Sequence, residues 1–85
     1  MTKQDWFVYI LQCSDKTLYT GVTTDLNRRV EEHNSGSKGA KYTAARRPVK
    51  MVYSEQLDSR SNAQQREYQI KSLTRRQKQQ LIDSY

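Results

Sequence analysis

The chain reads as an α+β domain with its elements in the order β-β-α-β-α-α. Three observations carry that reading. Two short runs rich in aromatic and β-branched residues, 6–13 and 18–24, follow one another across a polar turn. A helix-spaced apolar pattern starts behind Thr24 and Asp25, whose side chains can accept a free backbone N–H. A third alternating run, 49–57, precedes two more helical segments. Eighty-five residues make one domain, spanning 1–85, with no room for a second core.

In the first strand Phe7, Tyr9 and Leu11 point one way, and Val8 and Ile10 the other. Tyr9 and Tyr19 share a sheet face when the loop between the strands has an odd number of residues, as Ser14-Asp15-Lys16 does. The first helix places Leu26, Arg29, Val30 and His33 on one stripe, and Gly36 is its expected stop. Residues 34–48 read as a long loop rich in Ser, Gly, Lys and Arg. In the third strand Val49, Met51 and Tyr53 alternate against Lys50 and Val52. Asp58 or Ser59 caps a helix running to about Leu73. Thr74-Arg75-Arg76-Gln77 fits a capping box that opens the last helix.

Composition excludes several functions. Cys13 is the single cysteine, so no internal disulfide forms, and with His33 it falls short of the four ligands of structural zinc. No run approaches the roughly 20 apolar residues of a membrane span, and the first residues lack the pattern of a signal peptide. A cytoplasmic protein that does not engage membranes is the expectation. The net charge of +6 is concentrated: residues 33–78 hold eleven Lys/Arg against three Asp/Glu. Such a segment attracts polyanions. Lys38, Lys41, Arg46, Arg47 and Lys50, in or beside the long loop, are candidate phosphate contacts, with Arg75, Arg76 and Lys78 as a second group.

Glu67 is out of place on its helix. Ala63, Ile70 and Leu73 mark the buried stripe, and Glu67 projects from it. A carboxylate turned toward a sheet is costly unless it is paired or binds a metal. Taken singly, each candidate has an ordinary role: a core tyrosine, a surface arginine, a helix-terminal histidine, a glutamate paired with Arg66 or Lys71. Together, two hairpin tyrosines, an Arg–His pair on one inner stripe and a glutamate on another can converge on one sheet surface. Such a set suits phosphodiester hydrolysis. A divalent metal on one carboxylate can activate water and organise the phosphate, an arginine can neutralise charge, and a tyrosine or histidine can handle a proton.

The triplets Val8-Tyr9-Ile10 and Tyr19-Thr20-Gly21, with tyrosines ten residues apart, resemble the paired triplets of the GIY-YIG nucleases. Arg29, His33 and Glu67 stand at that family's downstream positions, and the resemblance spans about residues 6–82. The stand-alone, short, basic format further resembles the small uncharacterised bacterial members. The resemblance implies one three-stranded antiparallel sheet flanked by helices and single-metal hydrolysis with Mg²⁺ or Mn²⁺ on Glu67. It further implies Tyr9 as base, Tyr19 supporting water or phosphate, and Arg29 stabilising the transition state. Val8 replaces the first glycine, Val22 a frequent lysine, and Lys78-Gln79-Gln80 a late asparagine. The expected partner is nucleic acid, DNA before RNA, read with low sequence specificity. The alternative is a non-catalytic nucleic-acid-binding module of the same fold.

Overall fold

The computed structural model describes residues 5–35 and 39–85. Strands β1 (Trp6–Gln12) and β2 (Leu18–Thr23) form the hairpin. They are followed by α1 (Leu26–Ser35), a single turn α2 (Lys41–Ala44), β3 (Lys50–Leu57), α3 (Arg60–Lys71) and α4 (Arg75–Asp83). The sheet is antiparallel with order β2-β1-β3, so the most apolar strand is central. The expected α+β class and element order hold, with α2 added inside the segment read as a loop.

The hairpin has the odd-numbered turn that the tyrosine pairing requires. Lys16 N–H donates to Cys13 O at 3.0 Å and Cys13 N–H to Thr17 O at 2.9 Å, leaving Ser14-Asp15-Lys16 as the loop. Lys16 takes the left-handed conformation at φ 71°, as the last residue of a three-residue hairpin loop does. Asp15 Oδ1 accepts from both Thr17 N–H at 3.1 Å and Thr17 Oγ1 at 2.6 Å, which holds the turn. The resulting register sets Tyr9 opposite Gly21 and Leu11 opposite Tyr19. Tyr9 and Tyr19 therefore project from the same face.

β1 is buried on both sides, and the sheet separates two apolar clusters. Val8, Ile10 and Tyr53 pack with Ile70 of α3 and with Leu81 and Ile82 of α4. Tyr9, Leu11, Cys13 and Val49 pack with Leu26 and Val30 of α1. Each aliphatic side chain buried here stabilises the fold by about 1.5–3 kcal/mol. Tyr53 departs from the expected alternation. Ile10 pairs with Tyr53 but Leu11 with Met51, so Val52 is an extra residue. This β-bulge shifts the phase of β3. Val49 and Met51 stay on the Tyr9 face, while Tyr53 turns to the opposite one.

The helix starts are set by side chains. Asp25 Oδ1 accepts from Arg28 N–H at 3.1 Å, Ser59 accepts from Asn62 N–H, and Thr74 and Gln77 form the expected capping box. Asp25 and Ser59 are thus the caps at the two starts where either of two neighbours could serve. The expected stop at Gly36 lies outside the described residues. The C-terminal end of α1 is tied to β3 by Asn34, whose amide accepts from Val49 N–H at 2.7 Å and donates to Val49 O at 3.0 Å.

Candidate active site

Tyr9 is the centre of the site. Its side chain leaves β1 on the α1 face and its ring lies over Gly21 of the edge strand β2. A Cβ at Gly21 would meet the Tyr9 hydroxyl at 2.5 Å and its Cζ at 2.7 Å. Only glycine leaves room for the tyrosine there. The residue is 1% exposed, yet its hydroxyl has two partners from α1. His33 Nε2 lies 3.0 Å away, and Arg29 Nε donates to the oxygen at 3.3 Å. The i, i+4 spacing of Arg29 and His33 makes both contacts possible, one turn apart on one stripe.

The charges tune these groups in opposed ways. Burial pushes the Tyr9 phenol up to about 12, outweighing the Arg29 guanidinium, which pulls it down. The phenol is therefore protonated at neutral pH despite the pull of Arg29. Burial and the Arg29 charge hold His33 below its ordinary value, so the imidazole is neutral at pH 7. Arg29 also donates from Nη1 to Glu32 Oε1 at 3.1 Å, which pins the guanidinium beside Tyr9.

Tyr19 also packs against His33. Its ring meets the imidazole edge-on at 5.2 Å and stacks on Tyr42 of α2 at 5.9 Å. Tyr42 in turn carries the Arg46 guanidinium 4.2 Å over its ring. Sequence pattern did not point to Tyr42, nor to Thr43, which is fully buried and has its hydroxyl 2.8 Å from His33 Nδ1. Both sit in the segment read as unstructured, and one helical turn is too short to show a period.

Glu67 departs from the expectation of one common surface. Tyr9, Tyr19, Arg29 and His33 share the α1 face, whereas α3 packs on the Val8/Ile10 face. Ala63 and Ile70 are fully buried on its inner stripe, and the Glu67 side chain between them keeps 23% exposure. Its charge adds the smallest of the contributions to the raised Tyr9 pKa. Its direct partner is Lys71, at 3.4 Å one turn along. Among the described residues no three His, Cys, Asp or Glu side chains form a metal cage.

The candidate phosphate contacts divide. Lys41 and Lys50 are exposed, Lys41 next to Tyr42 in α2 and Lys50 at the start of β3, paired with Gln12. Arg46 is held by Asp15 at 3.1 Å and by Tyr42 O at 2.8 Å. Arg47 is half-buried, its Nε without a hydrogen-bond partner among the described residues. Arg75 donates to Lys16 O at 2.6 Å, while Arg76 is exposed and Lys78 half-buried. Lys38 lies outside the described residues. No helix among them is long and apolar enough to cross a membrane.

A hairpin that carries two tyrosines to an Arg–His pair on the next helix is the arrangement of a known nuclease superfamily. Residues 5–80 match the GIY-YIG catalytic domain, and the chain belongs to that family. Within it the chain is similar to the UPF0213 proteins. One from Desulfotalea psychrophila is 57% identical over 91% of this chain and 70% of its own length. Another, from Syntrophus aciditrophicus, is 59% identical over 89% and 87%. The solution structure of a UPF0213 protein from Bacillus halodurans superposes with a TM-score of 0.59 at 47% identity, covering 93% of this chain and 83% of that one. The solution structure of an E. faecalis protein gives 0.65 at 46% identity, covering 98% and 88%.

Proposed function

We propose that this protein is an endonuclease that hydrolyses nucleic acid phosphodiester bonds with a single divalent metal ion and low sequence specificity. The observation that carries the reading is the Tyr9 hydroxyl, buried between His33 Nε2 and Arg29 Nε. A buried phenol with two polar partners is ordinary in a core. One flanked by a neutral imidazole and a pinned guanidinium is equipped to move a proton beside an anion.

The donor set suits Mg²⁺ or Mn²⁺. Such ions bind through one carboxylate, with waters and substrate phosphate oxygens completing the shell, and Glu67 offers that carboxylate. When bound, the ion supplies Lewis-acid polarisation of the phosphate and a more acidic water. The chain's own residues do the rest. Tyr9 receives a proton from the attacking water and passes its own to neutral His33. Arg29 stabilises negative charge on the phosphoryl oxygens. The half-buried Tyr19 lies at the same face and positions water or phosphate. Lys41 and Lys50 hold the backbone without reading bases, and the Arg75–Arg76–Lys78 group offers a second basic strip. DNA is the favoured substrate over RNA.

One observation favours a second reading, a binding module without turnover. Glu67 already has a partner in Lys71, and the Tyr9 phenol is held protonated. A cleavage screen over structured DNA and RNA, with and without divalent metal, separates the two. The nuclease reading expects metal-dependent products; binding of every substrate with no product under any metal would leave the module.

A further inference from the structure

Thr43 completes a chain of hydrogen bonds that starts at the backbone and ends at Tyr9. The Thr43 hydroxyl has one proton, and it donates that proton to Ala40 O at 2.9 Å. The same oxygen lies 2.8 Å from His33 Nδ1. With its proton committed to a carbonyl, the oxygen can only accept. Nδ1 must then carry the ring hydrogen, and Nε2 presents a lone pair to Tyr9 at 3.0 Å. Tyr9 donates to His33 and accepts from Arg29 Nε, which can only donate.

The opposite tautomer fails twice. Nδ1 without hydrogen would need the Thr43 proton, leaving two oxygens 2.9 Å apart at Ala40 with no hydrogen between them. Nε2–H would point at Tyr9, whose oxygen already accepts from Arg29, and the phenol proton would lose its acceptor. Both His33 and Thr43 are fully buried, so no solvent stands by to repair either fault.

The fold is shaped to place Thr43 there. A Cβ at Gly39 would lie 2.7 Å from His33 Cα and 3.0 Å from Glu32 O, so the chain crosses the α1 backbone at a distance only glycine permits. On the other side Ser14 N–H donates to Arg46 O at 2.9 Å, and Arg46 Nε meets Asp15 at 3.1 Å. The turn of α2 is thereby clamped between the first helix and the hairpin loop.

We propose that Thr43 is a positioning residue that holds His33 as the Nδ1–H tautomer, so that Nε2 takes the Tyr9 proton during attack. The catalytic part of this rests on the nuclease reading. In that step an O–H bond of water breaks and one forms on Tyr9. The original Tyr9 O–H breaks and an N–H forms on His33 Nε2. The hydroxide electron pair goes to phosphorus, the bond from phosphorus to the leaving oxygen breaks with its pair on that oxygen, and the departing alkoxide takes a proton from water. His33 becomes an imidazolium that still donates from Nδ1 to Thr43, and it returns its Nε2 proton to solvent after product leaves. Tyr9 is unchanged at the end.

His33 is the sole histidine, so a long-range ¹H–¹⁵N spectrum of the labelled protein reports one ring without assignment. The expected wild-type signature is a protonated Nδ1 and a bare Nε2. Thr43→Val keeps the shape and removes the hydroxyl. Nδ1–H then loses its acceptor, so the share of the Nε2–H form should rise to a measurable level even though Tyr9 still opposes it, and single-turnover cleavage should fall by roughly 10²-fold, the lower end for a lost acid–base contribution. Thr43→Ser should keep both the tautomer and most of the rate. An Nε2–H signature in the wild type overturns the proposal. So does an unchanged tautomer in a folded Thr43→Val variant, or a shifted tautomer with an undiminished rate. The spectrum needs no substrate. Absence of cleavage by every variant would sink the nuclease reading alone, and the tautomer would still be decided.

Discussion

Replacing Gly21 by alanine tests the geometry of the site with the smallest possible change. The new methyl would stand 2.5 Å from the Tyr9 hydroxyl, where ordinary contact begins at 3.4 Å. The ring must therefore move by roughly 1 Å. It cannot do so and keep His33 at 3.0 Å, since a shift of that size carries the contact past the usual limit of about 3.2 Å, and the Arg29 contact at 3.3 Å has no slack to give. Overpacking a filled interior costs about 1–3 kcal/mol, while alanine in place of glycine in a strand regains roughly 0.5–1 kcal/mol. The net loss is about 1–2 kcal/mol. In a domain this small that lowers Tm by roughly 5–15 °C. A displacement of this size also costs on the order of 10²-fold in rate. Melts followed by circular dichroism give the first number and single-turnover cleavage the second. A Gly21→Ala protein with wild-type Tm and rate would show that Tyr9 does not occupy the space above Gly21.

Tyr9→Phe removes only a hydroxyl, but leaves His33 Nε2 buried without its partner. It should cost about 1–3 kcal/mol in denaturant melts and lower cleavage by about 10²-fold or more; unchanged specific activity would return Tyr9 to a core role. Burial and Arg29 hold the folded-state pKa of His33 below the ordinary 6.5. Because the unfolded chain takes up the proton first, stability should be full above about pH 6.5 and decline as pH falls from there toward the lower folded value. His33→Gln should remove that slope, and a slope persisting in the variant would assign it to other groups. Lys41→Ala with Lys50→Ala should weaken binding alike for unrelated sequences. It should also flatten the salt dependence by about 0.7–0.9 for each phosphate no longer neutralised. An unaltered slope would move the binding surface to Arg75, Arg76 and Lys78.

Much of this architecture was legible in the residues because two periods do not overlap. Strict alternation in Trp6–Gln12 and an odd-numbered turn dictate that Tyr9 and Tyr19 share a face, and the register agrees. The i, i+4 spacing of Arg29 and His33 on an apolar stripe likewise predicts one target for both. What escaped was set by tertiary pairing. The bulge at Val52 depends on how β3 meets β1, so the face of Tyr53 could not be read from its own strand. The stripe of Glu67 says that it faces the sheet but not which side of it. The buried stripe of α3 lies on the Val8/Ile10 side because Ile70, Leu81 and Ile82 cover that face together. Thr43 was hidden in a single turn whose position is held by Gly39, Ser14 and Asp15 rather than by local propensity.

The central claim is that Glu67 supplies the one carboxylate through which a divalent ion acts beside Tyr9. Single-turnover cleavage of a structured DNA, followed as Mn²⁺ is titrated into wild-type protein and Glu67→Gln, tests it most directly. Glutamine keeps the shape and gives up only an exposed pair with Lys71, worth about 0.3–0.5 kcal/mol, so folding and DNA binding should be retained. The account predicts a saturable, metal-dependent rate for the wild type and no cleavage by Glu67→Gln at any Mn²⁺ concentration. A variant that cleaves at the wild-type rate with the same metal midpoint would contradict it.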